Sequence, residues 1–311
     1  MASILTNPKI PADELRQRLY SGDLVILTGL GTLGVLVEYI RAELTELFAP
    51  HHPEHAHEYI DPAAMAKLLG AWKPRWIHAD KSRELVRGII AEAGFDPRQT
   101  RYDVPKPRTS FPQGHLTTGV AFAFPWHRDV WYSAPAQQIN WWLPVFPVLE
   151  TNAMSFDLAS FAREVPNTSG DFDYYENNAR RFGAAKSVGK EGQARPGAID
   201  HRPGVDVIPL PAPGEVLLFS GAQLHTSIAN TSGLSRYSVD FRTVHEPDLL
   251  AGRGAPLVDA RCTGTAIRDF VSVEDETSLD ERTVRSIFGP PPAGAHLVFG
   301  TDDAERAADS A

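Results

Sequence analysis

The sequence predicts a mainly β domain, a sandwich or barrel, with helical support in its N-terminal third. Short β-type runs separated by Pro, Gly and Asn turns fill the chain from about Phe95 to Val244, whereas apolar residues before Phe95 recur mostly at helical spacing. With 311 residues and 42% hydrophobic content, the chain can bury the core of one large domain or two small ones. We read 1–311 as a single domain: helical support over 1–95, a β core over 96–250 with an insertion at 167–203, and a C-terminal extension over 251–311 whose Ala- and Asp-rich tail after Thr301 is expected to fray.

The elements follow in order. Leu15 and Leu19, four apart behind Asp13 and Glu14, predict a short amphipathic helix over Pro11 to Tyr20. Leu24 to Leu27 reads as a strand, and Val35 to Phe48 as a helix that Pro50 ends. More helix is expected at Pro62 to Leu69 and at Ser82 to Ala93. Strands are expected at Gly119 to Phe124, Gln138 to Val145, Gly204 to Ile208, Glu215 to Phe219 and Arg236 to Val244. The polar stretch from Asn167 to Pro203 is too long for a tight turn and is a candidate lid over one end of the β core.

Charge and composition narrow the function. A formal charge of -9 and the lack of any Lys/Arg run argue against nucleic acid and for a small-molecule substrate. The single Cys262 excludes a disulfide framework, and the start at Met1 lacks a secretory pattern, so a cytoplasmic setting is expected. The most apolar stretch, Leu24 to Ile40, is broken by three glycines and Glu38 and falls short of the ~20 apolar residues of a spanning helix, so no membrane segment is expected. Oligomeric state is left open.

In an extended strand, His127 and Asp129 project to one side while Arg128 faces away. An iron(II) ion that must also take a keto acid and oxygen needs three protein ligands on one face, and two His with one carboxylate supply them. The third ligand is expected at His225, 98 residues after His127, on a short strand after the apolar run Val216 to Phe219. Arg236 lies eleven residues further on. It begins a strand in which Tyr237, Val239 and Phe241 form an apolar face, leaving Arg236 and Ser238 on the other. A guanidinium directed inward needs a carboxylate partner, and the distal carboxylate of 2-oxoglutarate would pair with it bidentately. Gln138 and Asn140 alternate with Ile139 and Trp141 and should face inward too, either to orient keto acid or substrate or to bond only to backbone.

These positions resemble the phytanoyl-CoA dioxygenase-like branch of the iron(II)/2-oxoglutarate oxygenases, the branch of ectoine hydroxylase, over roughly Phe122 to Val244. The resemblance implies a double-stranded β-helix (a cupin-like jelly roll) with His127, Asp129 and His225 as the metal triad, Arg236 gripping the keto acid, and Ser227, two residues after the distal His, helping to hold it. It implies Fe(2+), 2-oxoglutarate and O2 as cofactor and cosubstrates, and hydroxylation of an unactivated carbon of a small molecule with release of succinate and CO2. A carboxylate at position 129 points to a hydroxylase, since the superfamily's halogenases carry a small residue there. The residues that recognise phytanoyl-CoA or ectoine have no counterparts that can be placed here.

Other readings compete. Gly29-Leu30-Gly31-Thr32-Leu33-Gly34 between strand and helix is a dinucleotide-binding pattern, but no second parallel strand ending in an acidic residue follows, which disfavours a nicotinamide dehydrogenase. His51, His52, His55 and His57 fall in a Pro-bounded loop and read as solvated rather than metal-binding. His115 and His201 read as core or surface residues. Most of the aromatic group Trp126, Trp131, Tyr132, Trp141 and Trp142 reads as core, with a substrate wall as the alternative. A metal-binding barrel that isomerises or merely binds a ligand would keep the triad without needing Arg236 and Ser227.

Overall fold

Strand alternation on two long neighbouring strands explains most of the architecture. The computed structural model describes residues 2–112, 125–183, 195–204, 206–293 and 295. His115, the strand expected at 119–124, the middle of the 167–203 segment and the tail after 301 lie outside the described residues.

Strand β1 (Ile4–Thr6) leads into helix α1 (Ala12–Tyr20), strand β2 (Leu24–Leu27) and helix α2 (Gly31–Phe48). Helices α3 (Pro62–His78) and α4 (Asp80–Glu92) complete the helical third. Helix α3 starts where the Asp61 carboxylate accepts the amides of Ala63 and Ala64. It runs nine residues past the predicted end at Leu69, through Gly70 and Pro74, which read as stops. Burial of Met65, Leu69, Trp72 and Trp76 along one face outweighs the hydrogen bond that Pro74 removes.

The β region holds β3 (Thr100–Tyr102), β4 (Lys106–Ser110), β5 (Ile139–Pro144), β6 (Met154–Phe156), β7 (Val216–Ser220), β8 (His225–Ser227), β9 (Arg236–His245) and β10 (Val271–Ser272). Three further helices, α5 (Tyr174–Gly183), α6 (Glu246–Leu250) and α7 (Glu281–Phe288), were not foreseen. The main sheet has eight strands in the order β1-β2-β7-β5-β9-β3-β10, with β4 also paired to β9, and β6-β8 form a second, two-stranded sheet. The molecule thus combines a mixed sheet, helices and a small second sheet. Among the described residues the strands do not close into a barrel. The strand expected at 204–208 is reduced to one bridge between Val207 and Phe156, because Pro203 and Pro209 bound the segment and supply no donors.

On β5, β7 and β9 the two faces separate cleanly. Ile139, Trp141, Leu143, Leu218, Tyr237, Val239 and Phe241 join Leu36, Ile40, Trp72, Trp76 and Ile89 of the helices in the main core. Trp142, Leu217 and Phe219 point the other way and pack on Met154 and Phe156 of the small sheet. The space between the sheets is where the polar residues of interest lie.

The glycine pattern after β2 has a structural explanation. The Glu92 carboxylate accepts the amides of Gly31 at 2.6 Å and Thr32 at 2.9 Å, so the N-terminus of α2 already holds an anion from its own chain. After α2 the chain enters α3 and α4 instead of a parallel strand, which removes the dinucleotide reading. No helix among the described residues is long and apolar enough to cross a membrane.

Candidate metal centre

His127 and His225 face each other because their backbones pair. Each amide donates to the other's carbonyl, at 2.9 and 3.0 Å, in an antiparallel bridge that puts both side chains on one side. Arg128 is extended, with φ −116° and ψ 142°, so Asp129 returns to the side of His127. Asp129 does not continue the extended strand that the sequence predicts; it opens a 3-10 turn, Asp129–Tyr132, whose Val130 amide bonds to the Gly221 carbonyl at 3.1 Å. The outcome is the same convergence. Asp129 Oδ1 lies 3.6 Å from His127 Nε2 and 3.9 Å from His225 Nε2, and one ligand atom from each residue lies within 4.8 Å of the others.

The environment prepares these groups as ligands. His127 Nδ1 bonds to the Pro125 carbonyl at 2.8 Å and His225 Nδ1 to the Gln223 carbonyl at 2.9 Å. Both protons are thereby placed on Nδ1, and the Nε2 lone pairs face Asp129. Burial, reinforced by His127, pushes His225 down to about 4, so its imidazole is neutral at pH 7. Burial pushes the Asp129 carboxyl up, but its contacts with the two imidazoles and the positive charge of Arg242 outweigh it and hold the group well below the usual carboxylate range. Two imidazoles and one carboxylate suit a divalent first-row ion with open positions. Among the described residues this is the one cluster able to hold a metal. The His51 to His57 segment is otherwise engaged: His55 bonds to Glu58, His57 to Ser235, and His51 stacks on Tyr59.

Arg128 does face away from the cluster, yet it is fully buried. Its guanidinium reaches Asp259 at 3.1 Å and the carbonyls of Ser160, Phe161, Arg163 and Ala222, tying the His127 segment to three loops. Of the aromatic group, Trp131 and Trp141 are core, while Trp142 lies on the inner face and Tyr132 meets His127 edge-on at 5.7 Å. His201 is drawn to Asp157 at 3.1 Å.

Further along β9, Arg236 is buried, with its ring of charge 5.8 Å from Trp142. Its Nη1 donates to the carbonyls of Asn152 at 2.8 Å and Ala153 at 3.4 Å, and its Nε has no partner among the described residues. Burial pulls its pKa down to about 10. Ser238, two residues on and on the same face, is also buried with an unpartnered Oγ. Ser227 follows His225 on the same face of β8, opposite Met154. A buried guanidinium and a hydroxyl with spare donors on one face suit a carboxylate.

Gln138 and Asn140 do face inward, and they bond to side chains rather than to backbone alone. Gln138 Nε2 donates to Asp129 Oδ2 at 2.9 Å and to Asn140 Oδ1 at 2.8 Å. Sequence reasoning missed Arg242, whose Nε lies 3.9 Å from Asp129 Oδ2 and whose Nη1 bonds to Asp103 at 2.8 Å. Continuing the alternation Arg236, Ser238, Asp240 would have found Arg242; nothing local marks Asp103.

No family model matches the chain, and no curated protein matches it. Among solved structures it is similar to EvdO2 from Micromonospora carbonacea var. aurantiaca, at 13% identity, 76% of this chain, 92% of that one and a TM-score of 0.46. It is also similar to the non-heme monooxygenase ThoJ, at 15% identity, 74% and 77% coverage and a TM-score of 0.47. A third is the non-heme alpha ketoglutarate dependent carbocyclase SnoK from nogalamycin biosynthesis, at 14% identity, 76% and 84% coverage and a TM-score of 0.41. Likenesses this distant decide nothing about the chemistry of this chain, which rests on its own residues.

Proposed function

We propose that this chain is an iron(II)- and 2-oxoglutarate-dependent oxygenase that hydroxylates an unactivated carbon of a small molecule, its two sheets being the halves of a double-stranded β-helix. The observation that carries the reading is the convergence of His127 Nε2, His225 Nε2 and Asp129 Oδ1, with both imidazole tautomers set by backbone carbonyls. His127, Asp129 and His225 would hold the iron, which when bound with its keto acid supplies the oxidising power for O2-dependent hydroxylation and succinate release.

The chain's own residues do the rest. Arg236 binds the distal carboxylate of 2-oxoglutarate through the edge that bears its free Nε, with Ser238 and Ser227 donating hydroxyls beside it. Phe156, stacked at 5.7 Å on His225, and Phe219, edge-on to it at 5.0 Å, exclude water from the deep side of the cluster. Trp142 walls the space between the two ends. Neutral His225 and ionised Asp129 need shed no proton before the metal binds at pH 7.

The test is anaerobic titration with iron(II) and 2-oxoglutarate, followed by succinate release in air. Wild-type protein should develop a visible absorption band only when both components are present and should then form succinate. His127→Ala, Asp129→Ala and His225→Ala should each lower succinate formation by about 100-fold or more. A His225→Ala protein with full iron occupancy and full turnover would show that the third ligand is misassigned.

A further inference from the structure

The free oxygen of Asp129 is held by a small device built from two amides and a glycine. Gln138 Nε2 has two protons, and both are used: one on Asp129 Oδ2 at 2.9 Å, the other on Asn140 Oδ1 at 2.8 Å. With the amide reversed, Gln138 Oε1 would face two acceptors, so Asn140 dictates which end of Gln138 meets the carboxylate. Both amides are buried, at 3% and 5% exposure, which leaves little water to compete. Oδ1, the other oxygen of Asp129, is the one that approaches both imidazoles.

Gly221 seats the device. Its amide donates to the Gln138 carbonyl at 2.8 Å and its carbonyl accepts from Val130, directly after Asp129. A Cβ at position 221 would stand 3.3 Å from both Cβ and Nε2 of Gln138. The φ of Gly221 lies outside the left-handed region, so the position demands space, not backbone freedom.

We propose that Gln138, oriented by Asn140 and seated on Gly221, is a positioning residue that presents Asp129 to the iron through Oδ1 alone. A carboxylate free to bind through both oxygens would take a further position on the ion, one that the keto acid and oxygen need. Arg242 Nε lies 3.9 Å from the same oxygen, farther than a hydrogen bond, so the direct restraint on Oδ2 is the neutral amide of Gln138 at 2.9 Å. This inference rests on the reading of His127, Asp129 and His225 as iron ligands.

The experiment compares full-length wild type with Gln138→Met, Gly221→Ala and Asp129→Ala under anaerobic conditions. Iron(II) affinity is read by competition with a chromophoric chelator, and the visible band is recorded after 2-oxoglutarate is added. Gln138→Met keeps the volume and removes the donors; it should weaken iron binding by about 10- to 100-fold and move the band. Gly221→Ala touches neither the metal nor a ligand, yet it should shift both readouts in the same direction by a smaller amount. A folded Gln138→Met protein with wild-type iron affinity and an unmoved band overturns the proposal. Should Gln138→Met fail to fold, Gly221→Ala decides by the same readouts: weakened affinity with a moved band supports the proposal, and no change in either refutes it. Asp129→Ala binding iron as tightly as wild type is a different failure, that of the ligand assignment itself.

Discussion

The two faces of β5 and β9 share one ladder of backbone pairing, and they are built on opposite principles. On the helix-facing side, Trp141 stacks on Phe241 at 5.2 Å, meets Phe95 edge-on and satisfies its indole nitrogen on Thr243. Among the described residues of that core, Trp76 Nε1 and Thr109 Oγ1 are buried beside it without a partner. On the other side, Gln138, Asn140, Arg236, Ser238, Asp240 and Arg242 are buried or half-buried, and Arg236 and Ser238 keep unpartnered atoms. Buried polar atoms without partners are costly to a fold. A sheet that gathers most of its buried polar side chains on one face can do so because the other face supplies the stability, and this division assigns packing to one side and polar side chains to the other.

The largest test of that division is Trp141→Ala. It should destabilise the protein by about 3–5 kcal/mol, by loss of buried area and creation of a cavity, measured by urea unfolding of the metal-free protein. The fraction that remains folded should bind 2-oxoglutarate with unchanged affinity, and a folded but binding-deficient protein would break the separation of faces.

Acid should expose the inner face next. Because the folded state holds His225 down to about 4 while the unfolded state protonates near 6.5, the unfolded chain binds more protons across that interval, and stability is lost as pH falls through it. A shift of this size is worth about 3 kcal/mol. The melting temperature of the metal-free protein should drop between pH 6.5 and pH 4, and the drop should be smaller in His225→Asn. Equal drops in the two proteins would move the acid sensitivity to other groups, such as His245, which burial also lowers.

The smallest effect sharpens the comparison most. Arg236→Lys keeps the charge but loses the planar fork, and should weaken 2-oxoglutarate by about 10-fold, near 1.4 kcal/mol. Its unfolding midpoint without ligand should fall far less than that of Trp141→Ala, since a lysine ammonium can still donate toward the carbonyls of Asn152 and Ala153 that Arg236 Nη1 meets. An unchanged affinity for 2-oxoglutarate would remove Arg236 from the keto-acid site, and a stability loss like that of Trp141→Ala would make it a packing residue.

What the sequence determined by itself is whatever depends on period. Alternation at 236–241 separated Arg236 and Ser238 from Tyr237, Val239 and Phe241, and alternation at 138–142 turned Gln138 and Asn140 to one side, as the paired strands show. Helical spacing located α1, α2 and α4 to within a few residues, and the His-x-Asp triplet with His225 singled out three residues whose ligand atoms the fold brings together. Other features were decided only in three dimensions. Strand β4, Lys-Pro-Arg-Thr-Ser, has no apolar alternation because its inner face carries charges matched to Asp240, so local reasoning passes it over. Arg128 reads as a surface residue until Asp259, 131 positions later, closes around it. The meeting of His127 with His225 is of the same kind. Two hydrogen bonds between backbones 98 residues apart bring the imidazoles to a ring separation of 4.2 Å. Such pairing depends on the whole sheet's closing of the intervening loop, a long-range cost met by the apolar face behind it, and no window of sequence contains both ends.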